Sequence, residues 1–146
     1  MTITPIMTLA DYVVVAEGKL YLSGACIDRI PAGCPFGLAI WCSVPWTDSN
    51  HQYNTVLRLV DADGAPLNQP DGTPFEVARP LEVGRPPGYP AGAPLAVVLH
   101  AINFGPGMPL APNSRYEFTL EIDGEHQPGW SVGFNTGPLM FGQQAA

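Results

Sequence analysis

The stretch RYEFTLEIDG, Arg115–Gly124, alternates without interruption. In an extended chain Tyr116, Phe118, Leu120 and Ile122 fall on one side. Arg115, Glu117, Thr119, Glu121 and Asp123 fall on the other. This period of two marks a strand with one face in a core and one in water, the usual state of an antiparallel strand. A helix would scatter the same four apolar residues around its axis. Asp123-Gly124 then supplies the positive φ angles of a tight hairpin turn. Glu125–Phe134 is the expected partner strand, at a sheet edge or bulged, because Pro128 and Gly129 interrupt it.

The same pattern recurs outward from this hairpin. Seventeen prolines and sixteen glycines cut the chain into short apolar runs, and no amphipathic helix of useful length fits between them. Thr8–Ala16 and Leu20–Ile27 flank Glu17-Gly18-Lys19, a hairpin turn. Gly37–Val44, Gln52–Asp61, Thr73–Val83 and Pro94–Phe104 are further strand candidates. Gly84–Ala93 and Gly105–Ser114 are stiff Pro/Gly connections. Seven to eight strands of this length predict an all-β fold, an antiparallel two-sheet sandwich of immunoglobulin or jelly-roll type. A closed barrel is the alternative. Neither half of the chain holds enough strands for a core of its own, so residues 1–146 are read as one domain.

Charged residues make up 13% of the chain, about half the share of an ordinary soluble domain. Such a surface is easier to maintain when part of it is covered by a partner, which points to self-association or to a place in a larger assembly. The net charge is −7, Lys19 is the only lysine, and the five arginines are scattered. Nucleic acid binding needs a clustered basic patch, so it is not expected. No apolar run is long enough for a membrane span. MTITPIMTLADY lacks a basic n-region, and the cysteine count is odd. The expectation is a cytoplasmic protein without a signal peptide. The Ala, Gly, Pro and Arg bias suggests a GC-rich bacterial source.

Several segments also form a joint pattern. Leu9-Ala10-Asp11-Tyr12, Gly18-Lys19-Leu20, Gly24 and Asp28-Arg29-Ile30 stand in the first third. Leu59-Val60-Asp61-Ala62-Asp63-Gly64 follows, then Tyr116-Glu117-Phe118 with Asp123-Gly124, and His51 lies just ahead of the fourth strand. Together they resemble a family of small uncharacterised bacterial proteins, a domain of unknown function. The resemblance implies a β-sandwich and brings no substrate, cofactor or catalytic residue.

Candidate chemistry is sparse. In VLRLVDADGAPLNQPDG, Val56–Gly72, placing Gly64 at the sixth position of a calcium loop leaves Leu59 and Pro70 where ligands belong. The segment reads instead as two turns, at Asp63-Gly64 and Pro70-Asp71-Gly72. A residual calcium reading would need Asp61 or Asp63 joined by oxygens from another loop. Cys26, Cys34 and Cys42 lack the close pairing of a zinc site. Cys26 and Cys42 are expected in apolar strands, and Cys34 in a loop. His51, His100 and His126 fall in different segments, and neither a nucleophile elbow nor a phosphate loop occurs. No catalytic, metal or cofactor residue is therefore assigned.

The functional expectation is a non-enzymatic structural or protein-interaction module. Its candidate surface is Trp46, Tyr89, Val98, His100, Ile102 and Trp130. Simple alternation puts His100 on one face of its strand with Val98 and Ile102. A small-ligand or carbohydrate-binding module using Trp46, Tyr89 or Trp130 is the alternative. A metal-dependent enzyme drawing on the histidines and cysteines ranks third.

Overall fold

The computed structural model describes residues 3–139. Ten strands run in chain order: β1 (Thr4–Ala10), β2 (Tyr12–Ala16), β3 (Lys19–Ser23), β4 (Arg29–Ala32), β5 (Phe36–Val44), β6 (His51–Asp61), β7 (Glu76–Val83), β8 (Leu95–Phe104), β9 (Arg115–Ile122) and β10 (Ser131–Leu139). One turn of 3-10 helix, Trp46–Asp48, follows β5. The fold is all-β, as the alternation predicts. The strand count and sheet count are not as expected: the ten strands form three sheets, ordered β1-β5-β8, β4-β10-β9-β6-β7 and β2-β3. Every pair is antiparallel except β4 with β10.

The extra strands have local causes. Thr8–Ala16 does not run through as one strand, because the chain turns a corner at Asp11. The Asp11 amide donates to the Ser23 carbonyl at 2.9 Å, and the Asp11 carboxylate packs over Gly24. Gly24 has φ +63°, and a Cβ there would fall inside that carboxylate. Beyond the corner, β2 and β3 form a two-residue hairpin at Glu17-Gly18, with φ of 54° and 71°. β4 is four residues long and contains Pro31, too short to leave a periodic signal. The chain enters it from the β2-β3 hairpin and leaves it for β5 of the three-stranded sheet, and in between it runs parallel to β10.

The opening hairpin is partly as expected. Asp123-Gly124 turns with both φ angles positive, and Ile122 bridges to Glu125. Gln127–Gly129 then loops out before the Trp130 carbonyl accepts from the Leu120 amide at 3.0 Å. Pro128 and Gly129 thus make the expected interruption. β10 itself lies inside its sheet, between β4 and β9, and not at an edge.

The two larger sheets share one core. Phe36 and Phe104, from β5 and β8, meet Phe118 and Phe134, from β9 and β10, with ring centroids 5.0–6.4 Å apart. Leu9, Leu38, Ile40, Leu57, Leu59, Leu120 and Ile122 fill in around them. Offset and tilted rings at these separations add to the burial energy.

Candidate functional site

The β2-β3 hairpin lies on the outer face of the β1-β5-β8 sheet. Register partners define four rows across that face: Ala10–Gly37–Asn103, Thr8–Ala39–Ala101, Ile6–Trp41–Val98 and Thr4–Ser43–Ala96. Val13 docks on the first row. Its amide donates to Asn103 Oδ1 at 3.0 Å, and its carbonyl accepts from Asn103 Nδ2 at 2.7 Å, so one side-chain amide takes the place of a partner strand. Gly37 permits this approach, since a Cβ there would lie 2.9 Å from Asn103 Oδ1 and 3.0 Å from Val13 Cγ1. Val13 packs with Ala10 and Ala39, and Leu20, Leu22, Trp41 and Ala101 surround that small cluster.

The hairpin leaves the last two rows open. A groove of about 390 Å³ remains there, lined by Gly18, Lys19, Leu20 and Leu22 on one side and by Trp41, Ala96, Val97 and Val98 on the other. No β2 residue lines it, so it runs along the β3 edge of the hairpin. Among the described residues, β3 pairs with no strand but β2.

The two outer faces of the molecule differ in character. None of the twelve residues in the four rows is ionisable. The outer face of the five-stranded sheet carries Arg58, Glu76, Glu117 and Glu121, with Arg58 paired to both Glu76 and Glu121. Among the described residues, the large apolar ones that are exposed are Ile6 (51%), Tyr12 (56%), Val14 (42%), Val15 (47%) and Tyr21 (48%). All of them lie on β1, β2 or β3.

The candidate surface from the sequence does not assemble in one place. Val98 lines the groove. His100 does not share its face. A bulge in β8 pairs Ile40 with His100 but Trp41 with Val98, leaving Leu99 as the extra residue. From there the alternation reverses, so His100 turns inward, as does Ile102, which packs against the core half-buried. His100 is fully buried, with Nε2 3.1 Å from Thr55 Oγ1, and Thr55 Oγ1 also donates to the Arg79 carbonyl at 2.8 Å. Burial, with the Arg79 charge adding to it, lowers the His100 pKa to about 4. Trp130 is a core residue at 4% exposure. Trp46 is half-buried and covered by the Arg85 guanidinium, 4.0 Å from its ring centroid. Arg85 also donates to Ser49 Oγ and to the Trp46 carbonyl. Tyr89 ties its own loop, its hydroxyl donating to the Pro94 carbonyl at 2.6 Å. These three rings offer no shared flat platform.

The remaining motifs take structural places. Asp61 Oδ1 accepts from the amides of Asp63 and Ala65, both at 2.9 Å. Asp71 Oδ1 accepts from the amide and hydroxyl of Thr73, which hold its carboxyl below the usual range. Asn113, Ser114 and Arg115 line a surface hollow together with Asp61 and Asp63, and the Arg115 guanidinium turns instead to Asn135 Oδ1 at 3.3 Å. Cys42 is buried as expected, and burial pushes its thiol up to about 12. Cys26 departs from expectation: it is exposed, outside any strand, with φ 64°. His51 meets the Tyr53 ring edge-on, and His126 Nδ1 bonds the Leu120 carbonyl at 2.8 Å. Among the described residues, no three His, Cys, Asp or Glu side chains are grouped to hold a metal.

Sequence reading missed the hairpin as a surface, although the signal was present. YVVVA and KLYLS carry apolar residues on both faces of a two-stranded ribbon. One face covers the sheet; the other, with Tyr12, Val14 and Tyr21, faces outward.

The chain belongs to DUF6941, a family of unknown function, whose family model matches residues 5–132. Comparison with curated proteins and with solved structures returned no match. Among the described residues, no helix is long and apolar enough to cross a membrane.

Proposed function

We propose that this DUF6941 member is a non-enzymatic protein-interaction module that joins a larger assembly through the charge-poor face built from β1, β5, β8 and the β2-β3 hairpin. One observation carries the reading: the exposed large hydrophobics Ile6, Tyr12, Val14, Val15 and Tyr21 all fall on that side of the molecule. Large apolar side chains left exposed and gathered on one side of a molecule mark interaction sites. The opposite face, with its Arg58–Glu76–Glu121 cluster, is built for water. The fold reads as a two-sheet sandwich elaborated by a ribbon, and the free cysteines fit a reducing bacterial cytoplasm. Small-molecule binding has weaker support, since a groove of this size brings only one charged group, Lys19, to orient a ligand.

The test is purification from the native source of the wild-type chain and of a Tyr12→Asp/Tyr21→Asp variant. Both side chains point outward, so the variant should fold, as circular dichroism will show. The reading expects a stoichiometric protein bound to the wild type and lost from the variant. Identical companions for both would overturn it.

A further inference from the structure

We infer that the groove beside β3 is a strand-addition site. Its occupant is an extended segment of a partner protein, apolar at alternate positions and carrying a carboxylate near one end. The inference rests on the interaction-module reading and specifies how that surface engages its partner.

The hairpin register supplies the first reason. Ala16 and Lys19 flank the two-residue turn and form its hydrogen-bonded pair. Val15–Leu20 and Val13–Leu22 are then the non-hydrogen-bonded pairs. The amides and carbonyls of Leu20 and Leu22 consequently point away from β2, toward the groove. A row of unpaired backbone groups along a strand edge is a template for another strand.

The floor supplies the second. Leu20, Leu22 and Trp41 pack around the same small cluster and line the groove together, and the Ile6–Trp41–Val98 row lies next to the open edge of β3. An occupant must therefore bring backbone hydrogen-bonding groups and apolar side chains together. An extended peptide does both. A helix has no free backbone groups to offer, and a sugar lacks the apolar side chains.

Charge supplies the third. Lys19 is the only ionisable residue lining the groove, the only lysine in the chain, and among the described residues it makes no ion pair. An acidic residue on the occupant meets it without competition.

The edge also disfavours a second copy of this chain. Two copies joined antiparallel through β3 would be related by a two-fold axis perpendicular to the ribbon. Each β1-β5-β8 sheet extends under that axis through its Ile6–Trp41–Val98 row, so the two bodies would overlap. A segment free of its own bulk fits where a second copy does not.

Panning phage-displayed random octapeptides against the purified chain provides the probe, followed by titration of synthetic copies of the enriched peptides. Expected are sequences with apolar residues at alternate positions and an acidic residue near one end. Binding should slow amide hydrogen exchange at Leu20 and Leu22. Val98→Glu and Ala96→Glu should each weaken it at least about tenfold. Ala96 is exposed, so its variant remains informative if Val98→Glu disturbs folding. Peptides that bind without protecting those amides, or equally well to both variants, would overturn the inference. So would a wild-type dimer that Ala96→Glu converts to a monomer. If the Tyr12→Asp/Tyr21→Asp variant loses its partner while Ala96→Glu keeps it, the docking surface stands and strand addition falls.

Discussion

His100 sits wholly inside the shared core, bonded through Nε2 to Thr55, while Nδ1 has no partner among the described residues. Its folded pKa of about 4 lies below the ordinary 6.5, chiefly because burial disfavours the charged ring. Between those values the unfolded chain takes up a proton that the folded chain does not. Stability is therefore full above pH 6.5 and declines as pH falls toward 4, by roughly 3 kcal/mol in total. Urea unfolding at stepped pH should show this slope, and His100→Phe should flatten it. Thr55 keeps the Arg79 carbonyl as its acceptor in that variant. At Gly37 an added methyl would press on Asn103 and Val13. Gly37→Ala should cost about 1–3 kcal/mol and raise hydrogen exchange in β2 before the rest of the molecule. The inward turn of His100 was not legible in PLAVVLHAINF, because a bulge leaves no mark in an apolar run. Only the partner strand, with Ile40 and Trp41 facing His100 and Val98, reveals the extra residue.

Alternation and turn chemistry made most elements readable, including β5, β6, β8, β9 and the two hairpins at Glu17-Gly18 and Asp123-Gly124. Elements that depend on distant contacts were not. β2 separates from β1 because Asp11 meets Gly24, thirteen residues further on, and β4 exists because β10 stands beside it. The double-turn segment after β6 was read as turn chemistry, and the Asp61 and Asp71 carboxylates accept from local N–H groups. Asp61→Ala should lower stability by about 1 kcal/mol through the lost acceptor. The melting temperature of the wild type should be the same in excess calcium and in EDTA; a calcium-dependent rise of several degrees would restore the ion-site reading.

The core shared by the two larger sheets gives the molecule two outer faces, and the chain distributes its few charges unequally between them. The low charge content visible in the composition is concentrated as a deficit on one face, which no count of residues could locate. Where that deficit lies depends on the hairpin: it shields the first two rows of the β1-β5-β8 sheet, leaves the last two open, and presents Tyr12, Val14 and Tyr21 outward. The proposed docking face carries few of the charges behind the net −7, so it adds little repulsion to an encounter. Hydroxyl-radical footprinting of the chain, alone and with the partner retained from its native source, compares the two faces in one experiment. The account predicts that Ile6, Tyr12, Tyr21 and Trp41 lose reactivity in the complex while Val56 and Val60, on the outer side of β6, do not. Protection of β6 with Tyr12, Tyr21 and Trp41 unchanged would contradict it.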